Sequence, residues 1–93
     1  MAQLIIPTPL RKFTGGQGIF TASANDVNSL LNALTSQHPG IRQHLFDDGG
    51  DLRTFIRIYV GDDEIDALDG IATVLSESTQ VSIIPAIAGG SKD

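Results

Sequence analysis

A single amphipathic helix is the sequence feature that most restricts the fold of this chain. Between residues 27 and 34, leucine and valine recur at positions i, i+3, i+4 and i+7, which places them in one apolar stripe. The stripe consists of Val27, Leu30, Leu31 and Leu34. The other apolar segments have the length and alternation of strands, so the stripe can be buried only against one face of a sheet. The sequence therefore predicts an α+β fold with one main helix.

Four segments carry strand signals and surround the helix. They are residues 3–8, 18–23, 54–60 and 79–87. The segment 54–60 is the clearest, because it alternates with a period of two and contains β-branched residues. The segment 71–78 could hold one helical turn. With the helix as the crossover between the first hairpin and the later strands, the order predicts a mixed sheet of four to five strands.

The ends of the helix are also indicated. Ser23 and Asp26 have the spacing of a capping box at its start. Pro39 and Gly40 follow the last helical residues, where proline cannot continue a helix and glycine accepts turn dihedrals. Residues 9–18 form a glycine-containing connection, interpreted as a mobile surface loop.

Composition limits the partners. A chain of 93 residues has room for one domain, and its 41% hydrophobic content suits a globular fold. The net charge is −5 and the six basic residues are scattered, which argues against nucleic acid as a partner. No apolar run is long enough to cross a bilayer, and the start MAQLIIPTPLRK lacks the features of a signal peptide. We therefore expect a cytoplasmic protein with no membrane partner.

No pattern of catalytic or metal-binding residues stands out. The glycines of 15–18 lack the spacing of a nucleotide-binding loop. His38 and His44 lack a third ligand at metal spacing, and the chain has no cysteine. The acidic segments 47–51 and 62–69 lack the glycine and the glutamate that a calcium loop requires. We interpret them as solvated turns, and a contribution to an acidic docking face is left open. We expect no enzyme, no bound metal and no cofactor.

The end of the chain is unusual. The last strand runs almost directly into Gly89 and Gly90, and Ser91, Lys92 and Asp93 follow. Two residues without Cβ atoms can extend into a narrow channel where side chains would clash. We therefore divide the chain into a domain, 1–88, and a flexible tail, 89–93, although a frayed terminus is the simpler alternative.

Three segments carry a resemblance to a known family: IPTPLRKFTGGQ (6–17), TFIRIYVGDDEI (54–65) and VSIIPAIAGG (81–90). On these segments the chain resembles the ubiquitin-like β-grasp sulfur carriers of the MoaD/ThiS family, and most closely the CysO-type carriers of cysteine biosynthesis. The resemblance implies the β-grasp fold, which agrees with the fold inferred from the strand and helix pattern.

The resemblance also implies a reaction at Gly90. In the family, an E1-like adenylyltransferase uses ATP to adenylate the terminal glycine, and a sulfur donor converts the adenylate to a thiocarboxylate. A second enzyme, such as a cysteine synthase, then takes the sulfur. The carrier supplies no catalytic group, and Gly89 and Ala88 belong to the tail that enters the partner.

The extension 91–93 departs from the simplest family pattern. With it attached, Gly90 has an amide in place of a carboxylate and cannot be adenylated. We expect cleavage between Gly90 and Ser91 by a JAMM-type metalloprotease, unless the three residues are a remnant of cloning.

Docking on the E1-like enzyme is expected at an apolar part of the sheet beside the tail. On strand 54–60, Ile56, Ile58 and Val60 fit the core, which directs Phe55 and Tyr59 outward. Together with Ile87 they are the expected contact, and the alternative is that the aromatic rings cover an edge of the core.

Two other functions remain open. Activated Gly90 could be joined to lysines of target proteins, as in ubiquitin-like modifiers, or the chain could be a β-grasp interaction module whose tail has no reaction. A monomer is expected when the chain is free.

Overall fold

The computed structural model describes residues 2–76 and 79–85, and the fold is given for these residues. It contains five strands and two α-helices: β1 (Ala2–Ile5), β2 (Ile19–Ala22), α1 (Val27–Gln37), α2 (Arg42–Leu45), β3 (Ile56–Val60), β4 (Asp63–Glu64) and β5 (Gln80–Pro85). Short 3-10 turns connect them: Thr8–Phe13, Pro39–Ile41, Ile65–Ala67 and Gly70–Ala72. All five strands form one sheet in the order β2-β1-β5-β3-β4.

The sheet is mixed because its two central strands run in parallel. β1 pairs with β5 in parallel, whereas β2 and β3 pair with these strands in the antiparallel sense. A parallel pair needs a long connection, and the chain between β2 and β5 supplies it, beginning with α1. The prediction of a mixed sheet on one main helix is confirmed. The fifth strand is the two-residue β4, in the segment expected to be only an acidic loop.

The core lies between α1 and one face of the sheet, which we call the inner face. All four residues of the predicted helical stripe have no exposed surface. They pack with inner-face residues of β1, β2, β3 and β5 in one apolar cluster, whose buried strand members are Ala2, Leu4, Phe20, Ile56, Ile58, Val81 and Ile83. Burial of each large aliphatic side chain contributes about 1.5–3 kcal/mol. This packing against the sheet is what holds α1 in place, since a helix of eleven residues is marginal in isolation.

The start of α1 differs from the prediction. Asp26 itself is the residue that caps the helix, and its carboxylate accepts a hydrogen bond of 2.7 Å from the backbone N–H of Ser29. The capping box that begins at Ser23 is therefore wrong, because the helix starts three residues later than such a box requires. The predicted end is confirmed, since α1 stops at Gln37 and Pro39 opens a 3-10 turn.

The connections contain more structure than expected. In the loop 9–18, the buried Thr14 hydroxyl lies within hydrogen-bond distance of the carbonyls of Arg11 and Gln17, and the Arg11 Nε donates to the carbonyl of Ile6. These bonds close the loop on itself, whereas the sequence was interpreted as a mobile surface loop. In the connection 41–53, α2 was not predicted, because four residues are too short to show a helical period.

The cap at Asp26 gives a pH-dependent contribution to stability. Its hydrogen bonds from the backbone and the side chain of Ser29 lower the pKa of Asp26 below the ordinary 3.8. A lowered pKa stabilises the fold above the unfolded-state pKa, and this stabilisation is lost as the pH falls through the folded-state pKa. We expect the difference in urea midpoint between the protein and Asp26→Asn to shrink as the pH is taken below about 3.8.

Asparagine is the matched substitution because it keeps the capping oxygen and removes only the titratable charge. Other carboxylates titrate in both proteins and cancel in the difference. A difference that stays constant to the acid end of the series would contradict an ionised cap.

Candidate functional site

The last described residue, Pro85, which we call the root of the tail, lies at the centre of one end of the sheet. β5 is the middle strand of five, and its last residue, Pro85, pairs with Ile56 at the start of β3. Because β1 is parallel to β5, the end of β1 lies at the same end of the sheet. Pro85, the last described residue, pairs with β3, while the pairing of β5 with β1 ends at Ser82. The predicted site residues Ile87, Ala88, Gly89, Gly90 and Ser91 lie outside the described residues.

The face of the sheet opposite α1, the outer face, carries an apolar surface. We call it the outer patch and define it by four side chains: Ile5, Ile19, Tyr59 and Ile84. Ile5 is the direct cross-strand partner of Ile19 on one side and of Ser82 on the other. Ser82 in turn pairs with Tyr59, so one row of outward side chains crosses β2, β1, β5 and β3. Within the described residues no helix covers this row.

The alternation predicted for β3 is confirmed. Ile56 and Ile58 are buried, whereas Arg57 is exposed and Tyr59 is partly exposed. Phe55 is 41% exposed, but it lies in the turn before β3 and not on the strand, which begins at Ile56. Phe55 directly precedes Ile56, the residue that pairs with Pro85 at the end of β5.

Three members of the outer patch were missed from the sequence. Ile5, Ile19 and Ile84 all belong to segments recognised as strands, and their outward direction follows from period two. Ile84 was ambiguous, because Ile83 and Ile84 are adjacent and chemically identical. The structure separates them, with Ile83 only 1% exposed and Ile84 46% exposed.

Arg57 carries the charged border of the outer patch. Its Nη1 lies 3.1 Å from a carboxylate oxygen of Glu64 and 3.4 Å from one of Asp66. Arg57 and Asp66 are well exposed, so these pairs contribute at most about 1 kcal/mol to stability. Their effect is to draw the guanidinium toward β4, on the side of β3 opposite to Ile84, the cross-strand neighbour of Arg57.

The histidines and acidic turns have structural contacts. The ring of His44 stacks on Phe13 with centroids 4.1 Å apart, and His38 meets the edge of Phe20. Asp47 folds its own turn by accepting hydrogen bonds from the backbone N–H groups of Gly49 and Asp51. Among residues 2–76 and 79–85, no three potential metal ligands come together, and no helix is long and apolar enough to cross a membrane.

A mixed five-stranded sheet around one main helix, with the last described strand in the middle of the sheet, defines a ubiquitin-like β-grasp protein. The sequence pattern of the ThiS family matches residues 4–90. The chain belongs to the ThiS family, so the resemblance inferred from its three segments is confirmed. Members of this family are sulfur carriers that enzymes act upon, and the chain is not an enzyme.

Named relatives agree with this membership. The chain is 38% identical over 87 residues to the sulfur carrier protein CysO of Mycobacterium tuberculosis, with 91% of this chain and 94% of CysO covered. It is 29% identical over 82 residues to small archaeal modifier protein 3 of Haloferax volcanii, with 86% and 88% covered. A crystal structure of the Amycolatopsis orientalis BexX/CysO complex contains a chain that matches with a TM-score of 0.87 and 31% identity, over 97% of this chain and 100% of that one.

The two adjacent isoleucines of β5 test the assignment of inner and outer faces. We expect Ile83→Ala to lower the free energy of unfolding by about 2–5 kcal/mol, because it leaves a cavity in the core. We expect Ile84→Ala to lower it by less than about 1 kcal/mol, because the side chain is half exposed. Urea denaturation of both variants measures the difference, and equal losses would mean that the outer patch is part of the folding core.

Proposed function

We propose that the chain is a sulfur carrier that acts through Gly90 after residues 91–93 are removed. The observation that carries the proposal is the extent of the family match, which runs from residue 4 to residue 90 and so ends on the second glycine. The three residues that follow lie outside the family pattern. The 38% identity to a protein named sulfur carrier CysO supports the same function, with cysteine or a related sulfur amino acid as the favoured product.

The proposed reaction begins with hydrolysis of the Gly90–Ser91 peptide bond. Water supplies the hydroxyl of the new Gly90 carboxylate and the hydrogen of the released Ser91 amine. A JAMM-type metalloprotease is the proposed catalyst. In this proposal residues 1–88 are the β-grasp domain, and 89–93 are the tail before trimming.

An E1-like adenylyltransferase then activates Gly90. Its carboxylate oxygen attacks the α-phosphate of ATP, pyrophosphate leaves, and an acyl-adenylate forms. A hydrosulfide ion from the sulfur donor attacks the acyl carbon, AMP leaves with the bonding electron pair, and loss of the S–H proton gives the thiocarboxylate. The partners supply charge stabilisation and positioning for both steps, while the carrier contributes a reacting end that can enter their active sites.

The outer patch and Phe55 are the proposed docking site for this enzyme. They lie beside the root of the tail, so a partner bound there has the tail within reach. Phe55 and Tyr59 are proposed as the main contacts, with Ile87 as a third. A similar CysO chain has been crystallised in a complex with BexX, which supports complex formation by a domain of this shape. A sulfur-accepting synthase, such as a cysteine synthase, is the proposed second partner.

Protein modification is the second candidate function. One observation favours it, the 29% identity to a protein named small archaeal modifier protein 3. In that case the lysine amine of a target would attack the acyl-adenylate and form an isopeptide bond with release of AMP. The two functions share activation at Gly90 and differ in the nucleophile, so the product distinguishes them.

The intact mass of the protein isolated from its own host tests the proposal. We expect a species that ends at Gly90 with one oxygen replaced by sulfur. A Gly90 isopeptide on lysine in place of the thioacid would favour the modifier. Both functions would be refuted if the isolated chain retains Asp93 and a form cut after Gly90 gives neither a thiocarboxylate nor an isopeptide with the E1-like enzyme and ATP.

The docking site is tested by Phe55→Ala. We expect affinity for the E1-like enzyme to fall at least about tenfold, because an exposed aromatic contact is lost, while the urea midpoint changes little. Asn32→Ala, on the solvent side of α1, is the control and should leave affinity unchanged. Unchanged affinity together with lost stability would show that Phe55 covers the core.

A further inference from the structure

The second half of the chain has an extreme charge pattern that the carrier function does not use. Between Ile58 and Ser91 the sequence contains no lysine, arginine or histidine. Within the described part of this stretch there are five carboxylates: Asp62, Asp63, Glu64, Asp66 and Asp69. Arg57 neutralises two of them in part. The region that follows β3 is therefore strongly negative.

Three large apolar side chains are exposed next to these carboxylates. Leu68 is 42% exposed, Ile71 40% and Val74 77%. Ile71 lies in the 3-10 turn Gly70–Ala72, Leu68 directly follows the turn Ile65–Ala67, and Val74 forms a bridge to Asp26 at the start of α1. We call these three side chains, with the carboxylates around them, the distal surface. Single exposed apolar residues are common, but three so close together indicate an interaction surface.

The distal surface is held in a defined shape. The Thr73 side chain is 6% exposed, and its hydroxyl accepts a hydrogen bond from the Asp69 N–H and donates one to the Gly70 carbonyl. The backbone N–H of Val27, the first residue of α1, donates to the Thr73 carbonyl. Such bonds fasten the apolar residues to the start of α1, so little conformational entropy is lost when they are covered.

Its position leaves the tail accessible. The segment that carries the distal surface leads into the start of β5 at Gln80, whereas the tail leaves from the other end of β5 at Pro85. Six strand residues separate these ends by about 17 Å. A partner on the distal surface can therefore bind while an enzyme holds the tail.

We propose that the distal surface binds a second protein partner through a basic amphipathic helix. Apolar residues of such a helix cover Leu68, Ile71 and Val74, and its lysines or arginines face the surrounding carboxylates. The negative charge of the distal surface favours a basic helix over the other possible partners. A second copy of the chain would oppose two acidic surfaces, and nucleic acid or an anionic membrane would be repelled. The proposal is independent of the chemistry at Gly90.

A designed peptide of leucine and lysine, with leucines at helical spacing, is the probe. It is titrated into the intact ¹⁵N-labelled chain, and the amide shifts are followed by NMR. We expect shifts concentrated between Asp62 and Leu75, and a loss of affinity when sodium chloride is raised from about 0.05 M to about 0.5 M. The same peptide with glutamate in place of lysine should not bind.

Matched variants exclude non-specific adhesion. We expect the double variant Ile71→Ser and Val74→Ser to bind at least about tenfold more weakly, and Ile19→Ser on the outer patch to bind as the parent does. A second pair of double variants tests the charge. Asp62→Asn combined with Asp69→Asn should weaken binding, whereas Asp48→Asn combined with Asp51→Asn should not. These variants keep the folded amide spectrum, since every substituted side chain is exposed.

Shifts spread over the outer patch, or equal affinity of all variants, would overturn the proposal. So would binding of phosphatidylserine vesicles or of a second copy in place of the peptide. Because the probe needs neither ATP nor a free Gly90, a negative result leaves the carrier function standing. Likewise, failure of the mass measurement would not count against peptide binding at the distal surface.

Discussion

Burial of the α1 stripe against the inner face of the sheet is the interaction on which the rest of the structure depends. One helix covers one face, so the packing that folds the domain also leaves the other face toward solvent. The outer patch is the consequence, because strands that are apolar enough to pack on α1 also carry isoleucine and tyrosine at outward positions. A second layer of helix would stabilise the sheet further and would remove the surface proposed for docking.

The parallel pairing of β1 with β5 decides where β5, the last described strand, lies in the sheet. A parallel partner requires a crossover, and the crossover brings the last strand of the sequence to the middle of the sheet. β5 thus has paired neighbours on both sides at Val81 and Ser82, while its last residue, Pro85, pairs with β3 alone. In the proposed function Gly90 is the residue that reacts, and the domain supplies a folded surface for the enzymes that provide the chemistry.

Much of this arrangement could be predicted because it depends on periodicity. The stripe of α1 and the alternation of β3 were recognisable, since one side of each element is buried and the pattern repeats. The cap at Asp26 was misplaced because Ser23 fits the same rule, and only packing decides which residue begins the helix. β4 was hidden because two residues show no period. Ile71 and Val74 read as parts of a possible helical turn, and their exposure depends on how Thr73 folds the segment against α1.

In the proposed function the carrier visits several enzymes, and the two proposed surfaces then have different consequences. Partners that need both the tail and the outer patch exclude one another, so the activating enzyme must release the carrier before the sulfur-accepting enzyme can bind. A contact on the distal surface escapes this exclusion, because β5 separates it from the tail by the length of the strand. A partner held there stays bound to the carrier while one enzyme replaces another at the tail. The effective concentration of that partner at the next step therefore rises, although no contact to the tail becomes stronger. Weak affinity at the distal surface suffices for this purpose, which agrees with its small apolar area and its reliance on charge.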